Sequence, residues 1–191
     1  MTPRYPPRGK PVLQTDRLTL RPLTWDDQLE LERLDADPEV MRYLDRPRTP
    51  DQIRERFLAR TDPSHDAMGL GYWVGLEEGR FVGWWLLTPE GPGVADIGWR
   101  LHRAAWGRGL ASEGARAVVR HGFATVGLER IVADTMVVNH ASQGVMRKIG
   151  MRHTGIEHRD WEHPLPGAEQ GEWLAEITRE EWLAQSRDHQ G

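Results

Sequence analysis

At 191 residues, with 38% hydrophobic and 28% charged residues, the chain has the length and balance of a single globular domain, not those of a disordered polymer or a low-complexity fibre. The absence of cysteine excludes disulfide scaffolds, Cys-ligated zinc or iron–sulfur centres and every cysteine nucleophile. With 25 Lys+Arg against 29 Asp+Glu the formal charge is −4, so bulk charge does not pull toward nucleic acid or an anionic membrane, and a cationic partner is the mild expectation.

Met1 to Lys10 is rich in Pro and Arg and lacks an apolar secretion region, which predicts a cytoplasmic protein. The longest apolar run, Phe81 to Leu87, is far too short to span a bilayer. Residues 1–12 read as a tail, with order beginning near Leu13. Arg17 to Leu23 alternates as a half-buried strand, and Thr24 then caps a helix carrying Leu29, Leu31 and Leu34. A short helix is predicted around Pro38 to Leu44. A third follows the capping box Thr49-Pro50-Asp51-Gln52 and runs through Ile53, Phe57 and Leu58.

The middle predicts an antiparallel meander: Gly71 to Glu77, Gly79 to Thr88, and Val94 to His102 after a turn at Pro89 to Gly93. Helical periodicity then covers Gly109 to Thr125. Next come a strand at Arg130 to Val138, a helix at Asn139 to Lys148 ended by Gly150, and a strand from Met151 to Glu157. Glu162 to Gly171 is a Pro/Gly loop, Glu172 to Ile177 a last strand, and Thr178 with Glu181 caps a terminal helix. One α+β domain over 13–185 is predicted, with 186–191 as a loose C-terminus.

The most informative stretch is Trp106-Gly107-Arg108-Gly109-Leu110-Ala111-Ser112, between a strand and a helix. Two glycines free the backbone to turn and admit a ligand closely, and the helix start offers unpaired N–H groups and the positive dipole end. That combination suits a pyrophosphate. No Gly-Lys-Ser/Thr follows, so it is not a P-loop, and the spacing of Gly107, Gly109 and Gly114 does not fit the dinucleotide fingerprint.

Taken with Ala95-Asp96-Ile97-Gly98-Trp99, and with Asn139, Ser142, Lys148 and Gly150, this loop resembles the GNAT N-acetyltransferases. The early Asp37-Pro38-Glu39-Val40-Met41-Arg42-Tyr43-Leu44 is similar to the RimJ/RimL branch, and the resemblance spans about Leu13 to Trp182. It implies a mixed, mostly antiparallel sheet flanked by helices, with two central strands splayed to hold acetyl-CoA. The backbone at Trp99, Arg100 and Leu101 would pair with the pantetheine arm as an added strand does. Residues Trp106 to Ser112 would cradle the pyrophosphate, with Arg108 as the nearest cation, and Asn139 and Lys148 complete the cofactor set. The loop opens with Trp106 where the wider superfamily has Gln or Arg, and an aromatic there is usual in the RimJ/RimL branch.

Acetyl transfer to an amine needs a neutral nitrogen, a polarised thioester carbonyl and a proton for the departing thiolate. Asp96 stands where this branch carries an acid on the strand and is the candidate general base, acting through water. A backbone N–H near Trp99 would stabilise the oxyanion. Met146 occupies the position where many GNAT enzymes have a tyrosine acid, so the resemblance turns to Ser142. Structural roles stand beside these: Asn139 and Ser142 fit a helix cap and first turn, Asp96 could pair with Arg100, Lys148 is also a helix C-terminal charge, and Glu113 would support its helix through Arg116.

For the acceptor, Asp35, Glu39 and Glu162, with Glu169, could attract a cationic amine, and an aromatic wall is expected. Trp84 and Trp85 point to opposite faces of one strand, so one is expected in the core and the other, taken as Trp85, at the cleft. Trp161 and Trp173 flank the loop over the acceptor. His158, Asp160 and Glu162 would alternate onto one strand face with His163 opposite, a poor metal arrangement, so no metal is expected. Arg54, Arg56 and Arg60 are the one notable basic group, on a helix that also bears acids, and no nucleic acid or membrane partner is expected. The predicted activity is transfer from acetyl-CoA to a protein N-terminal or small-molecule amine, by a monomer or homodimer. The alternative is a CoA-binding regulatory module without turnover.

Overall fold

The computed structural model describes residues 9–44 and 49–188. Alternating apolar side chains build one eight-stranded sheet from β1 (Leu13–Gln14), β2 (Leu18–Pro22), β3 (Gly71–Glu77), β4 (Arg80–Gly91), β5 (Val94–Leu101), β6 (Arg130–Met136), β7 (Arg152–Glu157) and β8 (Glu172–Thr178). Their order is β1-β2-β3-β4-β5-β6-β8-β7, and every neighbouring pair is antiparallel except β5 with β6.

That parallel pair positions everything that follows. Val94, Ala95 and Asp96 pair with Arg130, Ile131 and Val132, and pairing stops there although β5 continues to Leu101 and β6 to Met136. Beyond Asp96 the two strands splay, and the edge of β5 from Ile97 onward loses its neighbour on that side. The sheet predicted from the resemblance, with its central split, is the one that forms.

Helices cover the two faces unequally. On one face α5 (Leu110–His121) packs Leu110, Ala115, Val118 and Val119 against Trp73, Trp85, Leu87, Ile97 and Ile131 in the main core. Gly114 lies at the closest approach, where an added Cβ would stand 2.4 Å from Trp85 Cε2. On the other face α1 (Gln28–Ala36), α2 (Pro38–Met41) and α3 (Pro50–Arg60) bring Leu31, Leu34, Val40 and Phe57 against Val74 and Trp84. A short α4 (Pro63–Ala67) precedes β3; α6 (His140–Lys148) links β6 to β7; α7 (Arg179–Asp188) closes the chain.

Several boundaries differ from the sequence reading for identifiable reasons. β4 runs through Pro89 to Gly91, because the proline sits at a bulge in the pairing with β5, where its missing N–H is not needed. The helix read to Thr125 leaves α geometry at His121 and finishes in a π-helical turn over Gly122–Val126. β7 stops at Glu157, so His158, Asp160 and Glu162 do not alternate on a strand. Within the segment read as a tail, Pro11 accepts a hydrogen bond from Trp73 Nε1 at 2.8 Å, and the buried Lys10 ammonium meets Asp66 at 2.6 Å; residues 1–8 lie outside the described residues. At the other end α7 carries the chain to Asp188, past the predicted boundary at 186, and residues 189–191 lie outside the described residues.

Candidate active site

The loop between β5 and α5 is shaped by its glycines. Gly107 and Gly109 adopt φ of +69° and +80°, and Gly109 is the N-cap of α5 in a left-handed conformation that an L side chain adopts only with strain. The amides of Leu110, Ala111 and Ser112 open the helix and have no acceptor within it. The Ala111 carbonyl accepts from Trp85 Nε1 at 3.0 Å, and Trp106 Nε1 donates to the Leu101 carbonyl at 2.8 Å, so buried and half-exposed indoles brace the loop at both ends.

Its charges come from distant chain segments. Arg108 forms a two-point ion pair with Glu77 of β3 at 2.7 and 2.8 Å, and its carbonyl accepts from Arg17 at 2.9 Å. Arg17 in turn holds Glu113 of α5, whose carboxylate also accepts from Thr15 Oγ1 at 2.6 Å. Burial opposes the Glu113 charge, but these Thr15 and Arg17 hydrogen bonds hold its carboxyl below the usual range. The expected Glu113–Arg116 pair is therefore replaced. Arg116 instead donates to the Lys148 carbonyl at 2.9 Å, fastening α5 to the end of α6. Lys148 itself is exposed.

Asp96 occupies the last paired rung of β5, opposite Val132, where the strands begin to part. It lines a groove of about 460 Å³ with Glu90, Arg130, Asp134, Arg159 and Glu176. Burial pushes its carboxyl up to about 7, and the like charges of Asp134 and Glu90 act in the same direction. Beyond the split, α6 starts at the Asn139 cap. Asn139 Oδ1 accepts from the Ser142 amide at 3.3 Å and its Nδ2 donates to Thr135 Oγ1 at 3.0 Å, which realises the capping role and leaves the half-buried Ser142 hydroxyl outside the cap. Met146 is buried in the main core and carries no acid.

A second groove, of about 310 Å³, lies over the same sheet face. Tyr43 from the end of α2, Met136 from β6, Trp161, His163 and Leu165 from the 158–171 loop, and Glu172 from β8 line it. Burial raises the proton affinity of Glu172; Asp134 adds to this and Arg159 opposes it. The site thus combines a braced glycine turn at a helix start, an open strand edge beside a carboxyl whose pKa is raised to about 7, and an aromatic groove with an acidic floor.

Residues 17–152 match the family described as Acetyltransferase (GNAT) domain. The chain belongs to the GNAT acetyltransferase family. It is 38% identical over 187 residues to the FsC-acetyl coenzyme A-N(2)-transacetylase of Aspergillus fumigatus, covering 92% of this chain and 80% of that one. A GNAT-family acetyltransferase from Bacillus anthracis superposes with a TM-score of 0.76 at 26% identity, over 89% of this chain and 99% of that one. The spermidine N-acetyltransferase of Vibrio cholerae in complex with CoA and spermine shares the fold at 17% identity and a TM-score of 0.76, over 88% and 99% of the two chains. The protein is an N-acetyltransferase.

Within this GNAT framework several predicted acceptor residues lie elsewhere. Trp85 is in the main core, on the face opposite the grooves, because in this stretch of β4 Trp85 and Leu87 point toward α5 while Trp84 and Leu86 take the other face. Trp84 is also buried, under the α1–α3 layer, so neither tryptophan faces the cleft. Trp173 points into the core as well, stacked on His153, so of the expected aromatic wall Trp161 remains at the groove, where the structure adds Tyr43. Asp35 is fully buried between Arg60 and Arg100 rather than open to an amine. Burial raises its carboxyl, and the Arg100 and Arg60 charges more than offset this. The Arg100 side chain therefore turns to Asp35 and not to Asp96. Glu39 is exposed on α2 and Glu162 is exposed in the loop, while their neighbours Tyr43, Trp161 and His163 line the groove.

Sequence reasoning missed Arg17, Glu77, Asp134, Arg159 and Glu172. Of these, Asp134 and Glu172 were accessible through alternation: each points away from the face taken by Ala133, Thr135, Trp173 and Ala175. Among the described residues no group of three or more His, Asp or Glu side chains is arranged to hold a metal, and no helix is long and apolar enough to cross a membrane.

Proposed function

We propose that the protein moves the acetyl group of acetyl-CoA directly to a primary amine of a small molecule in a ternary complex, with Asp96 as general base. The observation that carries this reading is the position of Asp96 at the last rung before the splay, in a groove that keeps its proton affinity near neutral. An ammonium must lose a proton before it attacks, and a base whose pKa matches the working pH is the most effective.

The remaining residues have supporting roles. The Gly107 to Ser112 turn offers amides and a helix start to the pyrophosphate, with Arg108 beside it. The unpaired edge at Trp99, Arg100 and Leu101 suits the pantetheine amides, and a fixed backbone N–H near Trp99 would polarise the thioester carbonyl. Asp96 accepts the amine proton through a bridging water, and the Ser142 hydroxyl returns one to the leaving thiolate. The RimJ/RimL resemblance points to an α-amine as the acceptor. The groove near Trp161 and Glu172 has a volume at the lower end of small-molecule pockets, and the similarity to an N(2)-transacetylase supports a small acceptor over a protein N-terminus.

The test is release of free thiol from acetyl-CoA over a panel of small amines and N-terminal peptides. Turnover on a small amine, lowered about 10²- to 10⁴-fold by Asp96→Asn and reduced by Ser142→Ala with CoA affinity retained, is the expected result. Turnover on peptides alone would overturn the acceptor assignment. CoA binding without thiol release on any amine would favour the non-catalytic module.

A further inference from the structure

Asp134 sits on β6 two residues beyond Val132, so it projects from the same face as the rung opposite Asp96, immediately past the split. Its carboxylate is held by Arg159 at 2.5 Å, and Arg159 also reaches Glu157 at 3.0 Å. Arg159 lies two residues past the end of β7 and must cross β8 to make this contact, since β8 stands between β7 and β6. The same segment continues directly into Trp161, His163 and Leu165, which wall the acceptor groove. One ion pair thus pins the start of the acceptor loop to the strand beside the base.

The other charges around Asp96 are already committed or act against it. Glu90 faces it from β4 and Asp134 from β6, both as like charges. Arg130 of β6 lies 3.5 Å from Glu176 of β8, which Arg152 also engages. Tyr72 of β3 is coupled to Asp96 but lies close to the Arg60 guanidinium. Among the described residues no ion pair reaches Asp96 itself, and the cation lining its groove that contacts one of its two like-charged neighbours is Arg159.

We propose that Arg159 is a positioning residue of this site: by holding the Asp134 carboxylate across the groove it sets how readily Asp96 gives up its proton, and it ties that setting to the seating of the acceptor loop. The proposal rests on the reading of Asp96 as the base. Removing Arg159 takes a cation from beside Asp134 and leaves the groove more negative, which disfavours a second anion at Asp96. Removing the Asp134 charge does the reverse.

The experiment is a carboxyl-carbon NMR titration of Asp96 in the full chain, for wild type, Arg159→Ala, Asp134→Asn and the double variant. The pH dependence of kcat/KM is recorded in parallel with the amine of the panel that wild type acetylates fastest. Arg159→Ala is expected to raise the Asp96 midpoint by about 0.5–1 unit and Asp134→Asn to lower it by a similar amount. In the Asp134→Asn background Arg159 keeps only Glu157 and is no longer held over the groove, so its loss should shift the midpoint much less than in wild type. Arg159→Lys, which keeps the charge, should restore most of the midpoint, separating electrostatics from misfolding. An Asp96 midpoint unmoved by Arg159→Ala, or moved equally with and without the Asp134 charge, overturns the proposal. Midpoints that shift as expected under a rate profile that ignores them place the failure in the assignment of Asp96 as base and not in the ion pair.

Discussion

A carboxyl group that stays half-protonated near pH 7 costs the folded state free energy wherever it must ionise. In the unfolded chain Asp96 titrates near 3.8, and in the folded protein near 7. Between those values the native state holds the extra proton, so stability falls as pH rises from about 4 to about 7, and the penalty is complete above 7. Asp96→Asn removes the penalty: its Tm should exceed that of wild type at pH 8, with the gap closing by pH 4, while kcat drops by about 10²- to 10⁴-fold. Thermal melts at the two pH values check the first part, and an equal gap at both would refute it. Wild-type kcat/KM should rise through pH 7 as the base form accumulates. Asp96 could be singled out by its place in Ala95 to Trp99. The groove that tunes it could not, because Asp134, Glu90 and Arg159 come from three other segments.

At the scale of elements, local chemistry was the most legible. The Thr49–Gln52 box forms as read, and Thr178 and Glu181 cap one another reciprocally at α7. The short helix α4 was not among the elements read from the sequence, although Asp62 before Pro63 is the same kind of signal, and Asp62 accepts from the Ser64 amide at 2.8 Å. The glycine turn before α5 was recognisable from spacing, and it yields a sharp prediction. Gly109→Ala places a Cβ at φ +80°, costing about 1–2 kcal/mol, and distorts the first-turn amides. CoA affinity, measured by calorimetry, should weaken on the order of tenfold, as expected for losing roughly 1.4 kcal/mol of helix-terminus binding. An affinity equal to wild type in a folded variant would remove the turn from the cofactor site.

Across the whole molecule, the buried Arg60–Asp35–Arg100 cluster joins α3, α1 and β5, with both guanidinium groups near Trp84. Asp35→Ala leaves two buried cations without their shared anion and should cost about 3–5 kcal/mol in urea denaturation, while Glu39→Ala on the exposed face of α2 should be nearly neutral. A loss below about 1 kcal/mol for Asp35→Ala would mean the cluster is solvated. From Asp35 in isolation an acid near the acceptor was a fair expectation; only the packing of three elements shows that its charge is spent internally. Element order, the caps, the glycine turn and the likeness to GNAT acetyltransferases were legible along the chain, because these rest on periodicity, backbone conformational preference and contiguous motifs. The tertiary structure decided where β5 and β6 part, which face each tryptophan takes, and which arginine neutralises which acid. Those outcomes depend on contacts between residues tens of positions apart, and in such contacts burial and pairing of charge override what any one side chain could do alone.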